Sequence, residues 1–199
     1  MNKNQFDFEA KANEVAEEHN LGGGDLFEIQ EGNNIVRVLS GYTVIARHFA
    51  GVGQYSPVCF GKEKGCPYHD TVSAESDELV MPLRIRCIFW LLDRRDNKIK
   101  LAFMPYKFAS LLAKLQKDNG GEPLTIPMEY DVNFKALGAR DKEVVYTLEK
   151  VDGNPYLFQD YGDGELTSEQ IAELEMKKDI ADVAESMKGR AMSDAGLVQ

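Results

Sequence analysis

The chain has 199 residues, 43% of them hydrophobic and 28% charged, with three Cys, three His and a net charge of −10. That length suits one domain with appendages or two very small ones, and no run of 18 apolar residues is present to span a bilayer. The first 20 residues lack the apolar stretch of a secretory signal, and an odd Cys count argues against a disulfide framework, so a cytosolic, reducing compartment is expected.

The charge is unevenly spread. Residues 1–31 sum to −6, residues 32–150 to +3 and residues 151–199 to −7. A mildly basic middle between acidic ends leaves polyanionic partners open despite the overall sign. We expect an acidic N-terminal helical segment over 1–31, a core over 32–160, and an acidic C-terminal helix and tail over 161–199.

In chain order, Phe8, Ala12, Val15 and Ala16 predict a helix over 6–19, which Gly22, Gly23 and Gly24 end. "NNIVRVLS" and "YTVIARHFA" predict two strands turning at Ser40-Gly41, followed by a loop-rich segment and a polar connection over 71–78. "LRIRCIFWLLD" (83–93) and "KIKLAFM" (98–104) predict a hairpin around "RRDN". Phe108, Leu111, Leu112 and Leu115 predict a helix over 106–117, ended by Asn119-Gly120-Gly121. "PMEYDVNFKAL" (127–137) alternates as a strand, "EVVYTLEKV" (143–151) predicts another, and Thr167 with Gln170 predicts a capping box opening a helix near 168–188. Five or six short strands with one helix among them predict a mainly β, α+β fold: a small five-stranded barrel of the OB type with a loop insertion and a helix beyond each end. A small α+β sheet would produce the same string of elements.

The insertion, "RHFAGVGQYSPVCFGKEKGCPYHD" (47–70), holds four potential ligands spaced H-x10-C-x6-C-x2-H: His48, Cys59, Cys66 and His69. Two thiolates and two imidazoles are a tetrahedral zinc donor set, and Cys66-Pro67-Tyr68-His69 after Gly65 reads as a knuckle. The competing reading is a disulfide or free thiols. Cys87 alternates with Ile85, Phe89 and Leu91 and reads as a buried apolar Cys, with a ligand swap for one His as the lesser alternative. His19 reads as a surface residue. Four protein ligands close the shell; the nearby acids, Glu63 and Asp70, form no paired-carboxylate or HExxH-like pattern, and the sequence holds no P-loop, GxGxxG or G-x-S-x-G. One structural Zn²⁺ supporting a subdomain at about 48–70 is therefore expected, and no enzymatic activity.

By strand parity, Arg84, Arg86 and Trp90 share the face opposite the Leu83, Ile85, Cys87, Phe89 and Leu91 row. Lys98 and Lys100 lie on the paired strand, Arg37 and Arg47 on the earlier ones, and Lys62, Lys64, Tyr55, Phe60 and Tyr68 in the insertion. Cations that track phosphates, interleaved with rings that stack on bases, suit a single-stranded nucleic acid. Taken singly, Trp90 reads as core and Lys98 and Lys100 as a solvated edge; Tyr130, Phe134 and Tyr146 read as core or half-core.

From about residue 33 to 150 the chain resembles the zinc-containing single-stranded-DNA-binding (helix-destabilising) proteins of T-even-like tailed bacteriophages. The resemblance is carried by His48 at a strand end, Cys59 after a loop and the Cys66/His69 knuckle, and by "YDVNFKALG…VVYTLE". It implies an OB-fold with an inserted zinc subdomain, coating single-stranded DNA with little sequence preference in replication, recombination and repair in a host cytoplasm. It also implies an acidic C-terminal segment that recruits replication or recombination proteins. His69 stands where the family's best-known member has Cys, and the N-terminus here is acidic rather than basic. The alternative expectation is a zinc-stabilised protein–protein interaction module of a phage replication or transcription assembly; a zinc-dependent nuclease or hydrolase is the third.

Overall fold

The computed structural model describes residues 26–49, 56–69, 82–118, 120–138, 144–151 and 165–197. The helix expected over 6–19, Tyr55, Asp70 and the 71–78 connection lie outside the described residues. In chain order the elements are β1 (Leu26–Phe27), β2 (Gly32–Val38), β3 (Thr43–His48), β4 (Leu83–Asp93), β5 (Lys98–Pro105), α1 (Tyr106–Asp118), β6 (Val132–Leu137), β7 (Val145–Lys150), α2 (Ser168–Met176) and α3 (Ile180–Asp194). The strands form one open seven-stranded sheet in the order β1-β5-β4-β2-β6-β7, with β3 also on β4. A mainly β, α+β class holds. No helix among the described residues is long and apolar enough to cross a membrane.

The expected β4–β5 hairpin forms, with Arg86 opposite Pro105 and Asp93 opposite Lys98. Its turn closes through the Asn97 N–H donating to the Asp93 carbonyl at 2.8 Å, with Asn97 at φ 58°, a conformation Asn tolerates. The expected turn at Ser40-Gly41 does not reverse the chain. β2 and β3 both run antiparallel along the same edge of β4, Val38 opposite Leu91 and Thr43 opposite Ile88. Residues 39–42 therefore bulge against residues 89–90. The bulge keeps its hydrogen bonds: the Leu39 N–H donates to the Trp90 carbonyl at 3.0 Å and the Trp90 N–H to Ser40 Oγ at 2.9 Å.

From Cys87 onward β4 is buried on both faces. One face, with Cys87, Phe89 and Leu91, packs on Ala102 and Met104 of β5, Phe108 of α1, and Val132 and Phe134 of β6. The Phe108 ring stacks on Phe89 and meets Phe134 edge-on at 5.0 Å between centroids. The other face, with Ile88, Trp90 and Leu92, lies under Ile180, Val183 and Ala184 of α3. This explains why β4 reads as a continuous apolar run: it has a layer on each side. The 127–137 strand begins only at Val132, although the Met128 N–H still donates to the Val38 carbonyl at 2.9 Å. The capping box at Thr167 and Gln170 is present, but the expected single C-terminal helix divides at Lys177–Asp179, where Asp179 caps α3 through the Ala181 N–H.

Candidate metal centre and its basic flank

Residues 57–59 run antiparallel beside the outer edge of β3. The His48 N–H donates to the Pro57 carbonyl at 2.9 Å and the Cys59 N–H to the Ala46 carbonyl at 2.8 Å, with Arg47 bridged to Val58. That pairing sets Cys59 beside His48. The chain then turns through Gly61 (φ 104°), a single 3-10 turn over Lys62–Lys64, and Gly65 (φ 78°). Both backbone angles favour glycine. Cys66 and His69 return to the first two residues, held by the Cys66 N–H to the Gly61 carbonyl at 3.2 Å and the His69 N–H to the Cys66 carbonyl at 3.4 Å.

Four donors converge. Cys59 Sγ lies 3.1 Å from His69 Nε2, and Cys66 Sγ 3.3 Å from His48 Nε2. Ligand atoms of His48, Cys59 and His69 all fall within 4.8 Å of one another. Tetrahedral zinc, with Zn–S near 2.3 Å and Zn–N near 2.0 Å, sets neighbouring S and N donors about 3.5 Å apart. His48, Cys59 and Cys66 are buried and His69 is half-buried. Burial pushes the Cys59 thiol up, and neighbouring Cys66 adds to that against a lowering contribution from the Gly61 backbone. Thiolates placed here require a cation to offset their charge. His48, Cys59 and His69 can hold a metal ion, with Cys66 alongside. Cys87 is remote from them, buried against β5 and α1, so it does not take a ligand's place.

The candidate DNA-contacting residues that the structure describes do not all lie on an accessible surface. Trp90 is 3% exposed under α3, its Nε1–H donating to the Lys178 carbonyl at 3.0 Å and its ring facing the Lys177 ammonium at 5.2 Å. Arg37 is buried and donates to Asp131 at 2.8 Å, sharing that carboxylate with Arg94. Lys100 is buried and paired with Asp93 and Asp96. Phe60 is buried against the two Cys, and Tyr68 is half-buried with its ring 5.5 Å from that of His48. These five residues serve packing and ion pairing. Lys62, Lys64 and Lys98 are exposed.

Three arginines do gather. Arg47 and Arg84 are directly opposite across β3 and β4, and Arg86, opposite Ile45, lies on the same face. Arg84 is exposed, with its guanidinium 3.4 Å from the centre of the Phe49 ring. Arg47 is half-buried; its Nε–H donates to the Ser56 carbonyl at 2.7 Å and its guanidinium lies 5.6 Å over Phe103. Burial lowers the pKa of half-buried Arg86, and Arg84 lowers it further, while Tyr146 opposes them weakly. Neither Arg84 nor Arg86 has a carboxylate partner among the described residues. By contrast, Arg37, Arg94 and Arg95 all reach carboxylates.

Sequence reasoning did not anticipate two features: Asp131 as the shared partner of Arg37 and Arg94, and the C-terminal helices as the cover of the Trp90 face. The second had a signal. Ile180, Val183, Ala184, Met187 and Ala191 recur at helical spacing, which implies a buried stripe. Compared with models of protein families and with curated proteins, the chain matches none.

Proposed function

We propose that this chain is a zinc-stabilised, non-enzymatic protein that binds single-stranded DNA with little sequence preference. The observation that carries the reading is the Arg84/Arg86 pair beside Arg47 and Phe49. A half-buried guanidinium next to another, with no carboxylate in reach among the described residues, is costly unless an anion arrives. Phosphates of a flexible strand suit such a row, and the exposed Lys62 and Lys64 extend it along the insertion.

The strand order supports an OB-type barrel as the scaffold: a bulged β2–β3 run, then β4, β5, α1, β6 and β7, with β2 pairing both β4 and β6. The insertion between β3 and β4 carries the metal centre. Two sulfur and two imidazole donors suit zinc, and a filled shell gives it a structural role: His48, Cys59, Cys66 and His69 fix the knuckle against β3. Coating of single strands in replication, recombination and repair, with protein partners at the acidic C-terminal segment, follows from the resemblance.

The test is fluorescence anisotropy of labelled oligo-dT across a salt series, with zinc content measured on the same sample. Wild-type affinity should fall as salt rises, and Arg84→Ala/Arg86→Ala should reduce the log–log salt slope by about 1.4, roughly 0.7 per lost phosphate contact. Binding that ignores salt, or a double variant with an unchanged slope, overturns the assignment. The second reading, a protein–protein interaction module, is favoured by Val44, Leu83 and Ile85, which are exposed on the opposite face of the same strand ends. It predicts one zinc per chain and no affinity for single strands.

A further inference from the structure

The candidate metal ligands are packed not only by the described residues of their own loop. Cys59, Phe60 and Cys66 pack against Ala191, Met192 and Ala195, on α3 and at its C-terminal cap, more than 120 residues away in sequence. The end of α3 is shaped for this contact. Gly196, at φ 72°, ends the helix; the Gly196 N–H donates to the Ser193 carbonyl at 2.8 Å and the Leu197 N–H to the Met192 carbonyl at 3.0 Å. That turn brings Leu197 back over the knuckle, where a side chain added at Gly65 would meet Leu197 Cδ1 at 3.8 Å. Charge follows the same path: Lys188 holds the Glu185 carboxyl low, and Lys64 of the knuckle adds to it.

We infer that residues 191–197 are a closing part of the metal centre, so that metal retention and docking of α3 are one linked equilibrium. The inference rests on the reading of these four residues as a zinc site. Among the described residues of the insertion, only the ligands, Val58, Phe60 and half-buried Tyr68 pack together, too small a core to hold its shape without metal. Losing the metal removes the seat of Ala191, Met192, Ala195 and Leu197. By reciprocity, undocking the helix end opens the two thiolates to water and competing chelators. Residues 191–197 act as positioning residues and not as ligands.

The experiment uses the full chain. Zinc content is measured first, then release to a chromogenic chelator, and amide hydrogen exchange over 180–197 before and after stripping. One zinc per chain is expected. Ala195→Asp and the milder Leu197→Ser should each speed zinc release by about tenfold or more, while Ser186→Asp on the exposed face of α3 should leave it unchanged. Stripping should accelerate exchange along α3 while β4 and β5 stay protected. A chain without zinc sinks both the metal reading and this inference. A chain that holds zinc, but whose α3 stays protected after stripping and whose two variants release zinc at the wild-type rate, overturns the inference alone.

Discussion

At the scale of single residues, burial separates the charges that serve folding from those that stay accessible. Asp131 accepts from Arg37 at 2.8 Å and from Arg94 at 2.8 and 3.2 Å, and both guanidiniums are nearly inaccessible. Removing that carboxylate takes from two buried guanidiniums the anion they share, and leaves Arg94 its neutral bond to Asn97, so Asp131→Ala should cost about 3–5 kcal/mol in urea unfolding. Asp93 makes a second such point. Its burial would raise the carboxyl's pKa, but hydrogen bonds from Arg95 and Lys100 outweigh that and hold it below the ordinary 3.8. A depressed folded value means the stabilisation is complete above that ordinary range and is lost as pH falls through the lower one. The cost of Asp93→Asn should therefore be full at pH 7 and shrink below about pH 4, measured as urea midpoints of variant and wild type; a gap that stays constant to pH 2 would contradict this. The candidate metal cluster of His48, Cys59 and His69, with Cys66 alongside, is legible in the sequence because the donor types themselves announce it. Whether a given Arg or Lys is free was not, since Arg37 and Arg84 look alike until Asp131, 94 positions from Arg37, folds next to it.

At the scale of elements, alternation revealed β4, β5 and α1 but not what covers them. Trp90 was assigned to an outer face by parity, and parity is right: it does oppose Phe89 and Leu91. What parity cannot show is that a helix from the far end of the chain lies over that face. The β2–β3 junction differs from its expected turn for a related reason, since Ser40-Gly41 is turn-like in composition yet serves a bulge. There Ser40 has a defined task. Its hydroxyl accepts from the Trp90 N–H at 2.9 Å and donates to the Gly41 carbonyl at 2.7 Å. Without it the Trp90 amide, next to a buried side chain, loses its partner, so Ser40→Ala should cost about 1–3 kcal/mol. Hydrogen exchange at the Trp90 amide should rise further than at its neighbours in β4; uniform protection across the strand would mean that water replaces the hydroxyl at no cost.

At the scale of the whole molecule, the three thiols report how the parts depend on one another. Cys59 and Cys66 sit in the knuckle, while Cys87, fully buried, lies between the sheet and α1 with its thiol pushed up by burial. The sheet's inner packing, from Phe27 through Phe89 and Phe108 to Phe134, includes no residue of the knuckle. Under the zinc reading, the metal supports the insertion and the α3 end, while this inner face packs without them; the knuckle reaches the sheet's other face through Val58, beside Ile45 and Trp90. A thiol reagent should find no rapidly reacting group in the zinc-loaded chain. After chelation two thiols should react quickly, and the third should wait for global unfolding, because a buried, protonated thiol is inert. Three thiols reacting in one phase after chelation would mean that the sheet cannot stand without the metal, and that the insertion is part of the fold's foundation instead of an addition to it.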